Sequence, residues 1–164
     1  MRESDLPRAV QALREPLQRF MRETRVRVAL IVSGSGQVLA QHGFTRSYEV
    51  VSVAALAAAA QASARMLAEV VGAGSWSHLH HAGVTQELLL SPIPTGAGDL
   101  TLVTIFDGES SLGLVQLFVD ELRAAIAGNP VFERAAPSQD AATFERDLEA
   151  GVRAAFAANG GGES

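Results

Sequence analysis

The segment from Glu49 to Val71 restricts the fold more than any other part of the chain. It contains the run Ala57 to Ala60 and carries no charge between its first residue and Arg65. Alanine is the strongest helix former, and Gly72 and Gly74 follow at the point where a helix of this length should end. We therefore predict one long helix over this segment.

Both sides of this predicted helix lack the charge that is typical of a solvated helix surface. We assign one side to the sheet, and it consists of Val53, Leu56, Ala60, Ser63, Leu67 and Val71. The opposite side is mostly small and apolar and carries one charge, at Arg65; it consists of Ala54, Ala58, Gln61, Arg65 and Ala68. Small side chains let a second helix approach closely, which predicts a homodimer with this helix at its two-fold axis. Alternatively, the alanines reflect only an alanine-rich composition.

Strand and turn signals occupy most of the remaining chain. Apolar residues at helical spacing predict a first helix from Leu6 to Met21 and a last helix from Leu112 to Ala127. Five strands are predicted, at about residues 25–33, 37–43, 76–80, 84–93 and 100–106. The order is α-β-β-α-β-β-β-α. Because hairpins join most of the strands, we predict an α/β (α+β) fold in which helices flank a five-stranded antiparallel sheet.

The predicted domain covers residues 4–128, and residues 129–164 form a C-terminal extension. In the extension, apolar residues spaced four apart form a narrow stripe that is typical of an amphipathic helix, at about residues 140–158. The stripe consists of Phe144, Leu148, Val152 and Phe156. We expect it to dock either on this domain or on a partner protein.

Composition excludes several kinds of chemistry. The chain has no cysteine and all 13 basic residues are arginine, so thiolate metal sites, cysteine nucleophiles and Schiff-base lysines are impossible. The net charge of −5 argues against nucleic acid as a partner. His78 and His80 share one face of a predicted strand, but a metal site needs more ligands. We therefore predict neither a metal site nor a cofactor.

The longest apolar stretch, Val50 to Ala64, is too short to cross a bilayer, and Arg65 and Glu69 follow it closely. The N-terminal residues are polar and charged, which is not typical of a signal peptide. We therefore expect a cytoplasmic protein without a membrane span.

Three stretches of the sequence, together with the predicted element order, resemble the roadblock/dynein-light-chain family. They are the hairpin RVRVALIVSGSGQVLAQHG, the alanine-rich central helix, and the final strand and helix DLTLVTIFDGESSLGLVQLFVDELRAAI. The resemblance runs from about Leu13 to Ala127 and involves no catalytic motif. Within the family, the chain is most similar to the bacterial MglB-type GTPase-activating polarity regulators, which also carry C-terminal extensions.

The resemblance implies a function in protein binding. Members of the family form homodimers in which the central helices pair and the middle strands join two sheets into one. The paired helices are a platform for a Ras-like small GTPase, which is of the MglA type for MglB-type proteins. The resemblance thus implies that the chain is not an enzyme, and that it stimulates GTP hydrolysis without inserting a catalytic arginine. It also implies a role in cell polarity or motility, with the protein concentrated at a cell pole.

The resemblance also assigns residues to two surfaces. The implied dimer interface consists of Ala54, Ala58, Gln61 and Arg65 on the helix and Trp76, His78 and His80 on the strand. The implied GTPase contacts are Ala57, Gln61, Ala64, Arg65 and Ala68.

Two other functions remain open on the sequence alone. A small-ligand sensor or scaffold domain without GTPase-activating activity would require a sizeable cavity, and the low aromatic content speaks against one. A histidine-dependent hydrolase would require a nucleophile beside a base, and no such pair is visible in the sequence.

Overall fold

The computed structural model describes residues 5–133, which form three α-helices and five strands. In chain order these elements are α1 (Leu6–Thr24), β1 (Val28–Ser33), β2 (Val38–Gly43), α2 (Val50–Val70), β3 (Leu79–Ala82), β4 (Glu87–Ile93), β5 (Leu100–Phe106) and α3 (Leu112–Ala127). Short 3-10 turns lie at Thr45–Ser47 and Pro130–Phe132. The predicted fold class and element order are confirmed. The predicted C-terminal helix, with Phe144, Leu148, Val152 and Phe156, lies outside the described residues.

The five strands form one sheet in the order β2-β1-β5-β4-β3, and every neighbouring pair is antiparallel. The two central strands, β1 and β5, are buried along almost their whole length, because helices cover both faces of the sheet. The edge strands β2 and β3 are much more exposed.

The two faces of the sheet form two separate cores. On one face, α1 and α3 pack large side chains such as Leu13, Phe20 and Val119 against strand residues that include Ile31 and Phe106. On the other face, α2 covers a smaller core formed by Val28, Leu30, Val32, Leu90, Val103 and Ile105. Alternation along β1 sends Val28, Leu30 and Val32 to the α2 face, as their spacing in the sequence predicts.

Three predicted strands begin too early. The fourth strand begins at Glu87 rather than at Val84, because Val84 lies in the turn that precedes it. The first strand begins at Val28 rather than at Arg25, because Arg25 adopts a left-handed conformation (φ 56°) and ends α1. Its backbone N–H donates to the Met21 carbonyl, which is a helix C-cap contact.

The third strand begins at Leu79, so Trp76 and His78 precede it. We call residues 76–78 the approach segment of β3. Side-chain hydrogen bonds, and not pairing with a neighbouring strand, fix its backbone. The Arg123 guanidinium of α3 donates to the Ser77 carbonyl at 2.6 Å and to the Pro92 carbonyl at 2.9 Å.

At the other end of the sheet, a charged pair ties β1 to the loop before α3. Arg27 donates to the Asp107 carboxylate at 2.5 Å, and its guanidinium lies 5.8 Å from the centre of the Phe44 ring. The Arg27 hydrogen bond lowers the pKa of Asp107, and the backbone N–H of Glu109 lowers it further. The loop then ends at Ser111, whose hydroxyl accepts from the Leu114 N–H and caps α3.

We expect Gly43→Ala to destabilise the fold by about 1–3 kcal/mol. Gly43 has φ 101°, and a Cβ there would meet the Arg27 carbonyl oxygen and lie 2.9 Å from the Met21 methyl group. The measurement is the free energy of unfolding in urea.

Gly113→Ala is the matched control, since a Cβ built there has no atom within 4 Å apart from its chain neighbours and the backbone of its own helix turn. This change within α3 should raise stability by about 1 kcal/mol, because alanine favours a helix over glycine. Equal effects of the two changes would contradict the packing described for Gly43.

Candidate protein-interaction site

The small residues of α2 pack on the chain's own sheet. Ala54 is fully buried, and Ala57, Ala64 and Ala68 are nearly so. The helix approaches the β1–β2 turn so closely that a Cβ at Gly36 would lie 3.2 Å from the Cα of Ala55. Alanine permits this approach because its side chain ends at Cβ.

The sequence prediction for the two sides of α2 is therefore wrong. Leu56 and Val71, which we assigned to the sheet, are 70% and 60% exposed, and Leu67 is half exposed. Ala54 and Ala68, which we predicted to pair with another helix, are buried instead. Val53 and Ala60 of the other side do pack on the core beneath α2. Hydrophobicity alone favours burial of the larger residues of α2. The space between the helix and the sheet, however, is too narrow for side chains larger than alanine along the buried strip of the helix.

Four residues of the implied interfaces are buried in the single chain. They are Ala54 of the implied dimer interface and Ala57, Ala64 and Ala68 of the implied GTPase contacts. Their assignment as contacts stays a prediction. Ala58, Gln61 and Arg65 lie at the border of the buried strip and keep part of their surface exposed.

The outer face of α2 presents an apolar surface to solvent. We define it by its exposed large side chains, which are Val51, Leu56, Met66, Leu67, Val70 and Val71. Exposed small residues lie between them, and Arg65 and Glu69 are the charged residues within the helix. A contiguous apolar surface of this kind marks an interaction site, whereas single exposed apolar residues do not. The large residues of the helix were the signal for this site in the sequence.

By length and composition, α2 could also cross a membrane, and it is the one helix among residues 5–133 with this property. Core helices of water-soluble proteins meet the same criteria. The expectation that the chain has no membrane span therefore stays a prediction.

A cleft of about 520 Å³ lies beside the second half of α2. It brings together Ala58, Gln61 and Arg65 of the helix with Trp76 of the following loop. Arg65 forms an ion pair of 3.4 Å with Asp99 on the opposite side of the cleft, and both side chains are well exposed. Four residues that the resemblance assigned to the dimer interface thus lie close together, although not on the outer face.

The histidines lie elsewhere. The imidazole Nδ1 of His78 lies 3.0 Å from the Ser91 hydroxyl, and the His80 ring stacks on Phe106 at 6.4 Å, so both side chains face the α1 and α3 layer. The Nε2 atom of His80 lies 2.7 Å from the Glu87 carboxylate. Within residues 5–133, no three histidine or acidic side chains form a group that could hold a metal ion.

Burial lowers the pKa of His78, and the nearby Arg123 guanidinium lowers it further, whereas Asp120 opposes this effect. Ser91 is fully buried, so the His78–Ser91 contact is closed to a substrate. The pair supports the approach segment of β3.

A family model described as the Roadblock/LC7 domain matches residues 13–103. The chain belongs to the roadblock family. This match confirms the resemblance that the hairpin and the alanine-rich helix predicted. No curated protein sequence gives a significant match.

Several solved MglB structures are similar to the chain. Myxococcus xanthus MglB is 28% identical, with 66% of this chain and 86% of that chain covered and a TM-score of 0.61. The gliding protein mglB from Thermus thermophilus is 26% identical, with coverages of 82% and 96% and a TM-score of 0.62. A third structure, described as MglB with tetrameric arrangement, is 26% identical, with coverages of 77% and 90% and a TM-score of 0.60.

We expect acidification to destabilise the fold through His78. Its folded-state pKa lies below the ordinary value of 6.5, so the unfolded chain takes up a proton first as the pH falls. Stability is therefore full above about pH 6.5 and declines as the pH falls towards the folded-state value. Urea unfolding of the wild type at pH 7.5 and pH 5.5 measures the decline.

His78→Gln should reduce this pH dependence. His81→Gln, on the neighbouring exposed strand, should keep it because that variant retains His78. An unchanged pH dependence in His78→Gln would contradict the assignment.

Proposed function

We propose that two copies of the chain form a homodimer through the outer face of α2 and the β3 edge. We further propose that this dimer binds a Ras-like small GTPase of the MglA type and stimulates its GTP hydrolysis. The observation that carries the proposal is the exposed apolar outer face of α2 in a roadblock domain.

A second copy of α2 is a suitable cover for this face. Burial of one large aliphatic side chain contributes about 1.5–3 kcal/mol, and a two-fold axis makes each contact occur twice. The β3 edge has no strand partner on its outer side among residues 5–133, so an identical strand could extend the sheet there. The similar MglB structure described as a tetrameric arrangement supports self-association.

The GTPase part of the proposal rests on the likeness to MglB proteins. Of the implied GTPase contacts, Gln61 and Arg65 keep exposed surface beside the outer face. Arg65 also forms an exposed ion pair with Asp99 in the free chain. As in the resemblance, we propose a cytoplasmic protein that acts in polarity or motility at a cell pole.

The cleft at Trp76 favours one alternative, a small-ligand sensor. Its volume of about 520 Å³ lies within the usual range of ligand sites, and it combines an aromatic ring with two arginines. A metabolite that raises the melting temperature of wild type but not of Trp76→Ala would favour the sensor.

Leu56→Glu should weaken self-association by about 100-fold or more, because two buried leucines are replaced in each dimer. Leu56 is well exposed in the single chain, so the fold should persist with an unchanged circular dichroism spectrum. Sedimentation equilibrium measures the dimer dissociation constant.

Leu117→Glu is the matched control, since Leu117 is similarly exposed but lies on α3. It should leave the dimer intact. A wild-type chain that is monomeric, or equal effects of both changes, would refute the proposed interface.

The dimer should accelerate phosphate release from the MglA-type GTPase of the same organism, and Leu56→Glu should lose this acceleration. Arg65→Ala should reduce it by less than about 10-fold, because an arginine finger would account for about 10³–10⁵-fold. Single-turnover phosphate release is the measurement. Absence of both binding and acceleration would refute the GTPase proposal, and a loss of the larger size in Arg65→Ala would make Arg65 catalytic.

A further inference from the structure

Charge is distributed very unevenly along the described domain. Residues 5–46, which include α1, β1 and β2, contain seven arginines and three acidic residues. Residues 47–133 contain two arginines and nine acidic residues. The flank of the domain that contains α1 and the edge strand β2 is therefore basic, although the chain as a whole is acidic.

A groove of about 550 Å³ runs along this flank, between α1 and the edge strand β2. Its floor is apolar and includes Val10, Leu17 and Leu39. Its rim is polar and carries Arg14, Gln18, Gln41 and His42. No carboxylate of the described residues lines the groove.

The arginines on the two sides of α1 differ in their partners. On the side facing α3, Arg19 forms an ion pair of 3.4 Å with Glu121. On the groove side, Arg14 forms no ion pair with any residue in the range 5–133. The groove thus presents positive charge that the described part of the chain does not neutralise.

The strand at this edge is irregular. Ile31 pairs with Ala40 and Val32 pairs with Val38, so Leu39 has no partner on β1 and forms a bulge. The bulge turns both Leu39 and Ala40 towards the α1 layer. Because bulges oppose strand addition, the groove is suited to recognition by side chains.

We propose that the groove between α1 and β2 binds an acidic peptide segment of a partner protein. One apolar side chain of the peptide lies on the floor, and flanking carboxylates lie beside Arg14 and His42. This function is separate from the proposed dimer and GTPase sites, because β2 and β3 are opposite edges of the sheet.

The shape of the groove favours a peptide over other anionic partners. A membrane surface would require apolar side chains that project outward, whereas here they lie at the bottom of a concavity. Duplex DNA would require many regularly spaced phosphate contacts, and the chain as a whole is acidic. A short peptide needs only one charged contact, which Arg14 supplies, and one apolar pocket.

The test uses the full chain and a fluorescein-labelled ten-residue peptide of glutamates with one central leucine. Fluorescence anisotropy should show saturable binding that weakens between 50 mM and 300 mM NaCl, since salt screens the contacts. Arg14→Glu should weaken binding at least about 10-fold, as expected for loss of a charge-assisted contact. Replacing the leucine with glycine should also weaken binding.

Arg8→Glu is the matched control, because Arg8 is an exposed arginine of the same helix that does not line the groove. It should change the affinity less than about 2-fold, which is within ordinary screening effects. Chemical shift changes on peptide addition should centre on Leu17, Leu39 and His42.

Three results would overturn the proposal. They are no saturable binding of the peptide, equal losses in Arg14→Glu and Arg8→Glu, and tighter binding of phosphatidylserine vesicles or of a DNA duplex than of the peptide. The Leu56→Glu variant should bind the peptide as the wild type does, so failure of the dimer proposal and failure of this one are distinguishable.

Discussion

The contact between the alanines of α2 and the sheet is the constraint on which the rest of the structure depends. Ala54, Ala57, Ala64 and Ala68 follow one another at helical spacing and form a flat strip without protruding side chains. The strip lets the helix lie close to β1, β5 and β4. Once these positions are buried, helix geometry forces the larger residues of α2 outward.

The α1 and α3 layer, on the other face of the sheet, buries much larger side chains than the alanines of α2 do. There, α1 and α3 bury Leu13, Leu17 and Phe20 together with Leu122 and Ile126 against the sheet, and these side chains are far larger than alanine. Because this core stabilises the sheet without much help from α2, the apolar residues of α2 can serve an interaction with another protein. The division between a structural face and a binding face thus follows from side-chain size.

Much of the fold could be predicted because its signals are local. The β1–β2 hairpin follows from alternating apolar residues around Gly34 to Gly36, and the end of α3 follows from Gly128. The family could be predicted for the same reason, since its features are an order of elements. Neither the local turns nor the order of the elements depends on which faces of the helices and the sheet pack together.

The site could not be predicted to the same extent, because it depends on distances between elements. Both sides of α2 are apolar, so periodicity does not distinguish them, and the space above the sheet decides which side is buried. The start of β3 depends on Arg123, which comes from a helix far along the chain. The basic groove could not be predicted, because Arg14 and His42 are distant in sequence and only the packing of α1 beside β2 brings them together.

The two edges of the sheet differ in a way that concerns polymerisation. A sheet with two regular exposed edges can add copies at both ends and grow into a fibre. Here β3 is a short edge strand, whereas the Leu39 bulge interrupts β2. Association through β3 about a two-fold axis would bury the β3 edge of both copies. The combined sheet would then end in two β2 strands, each interrupted by the bulge. Because the bulge opposes further strand addition at β2, strand pairing through β3 would end with a closed assembly of two chains and not with a fibre.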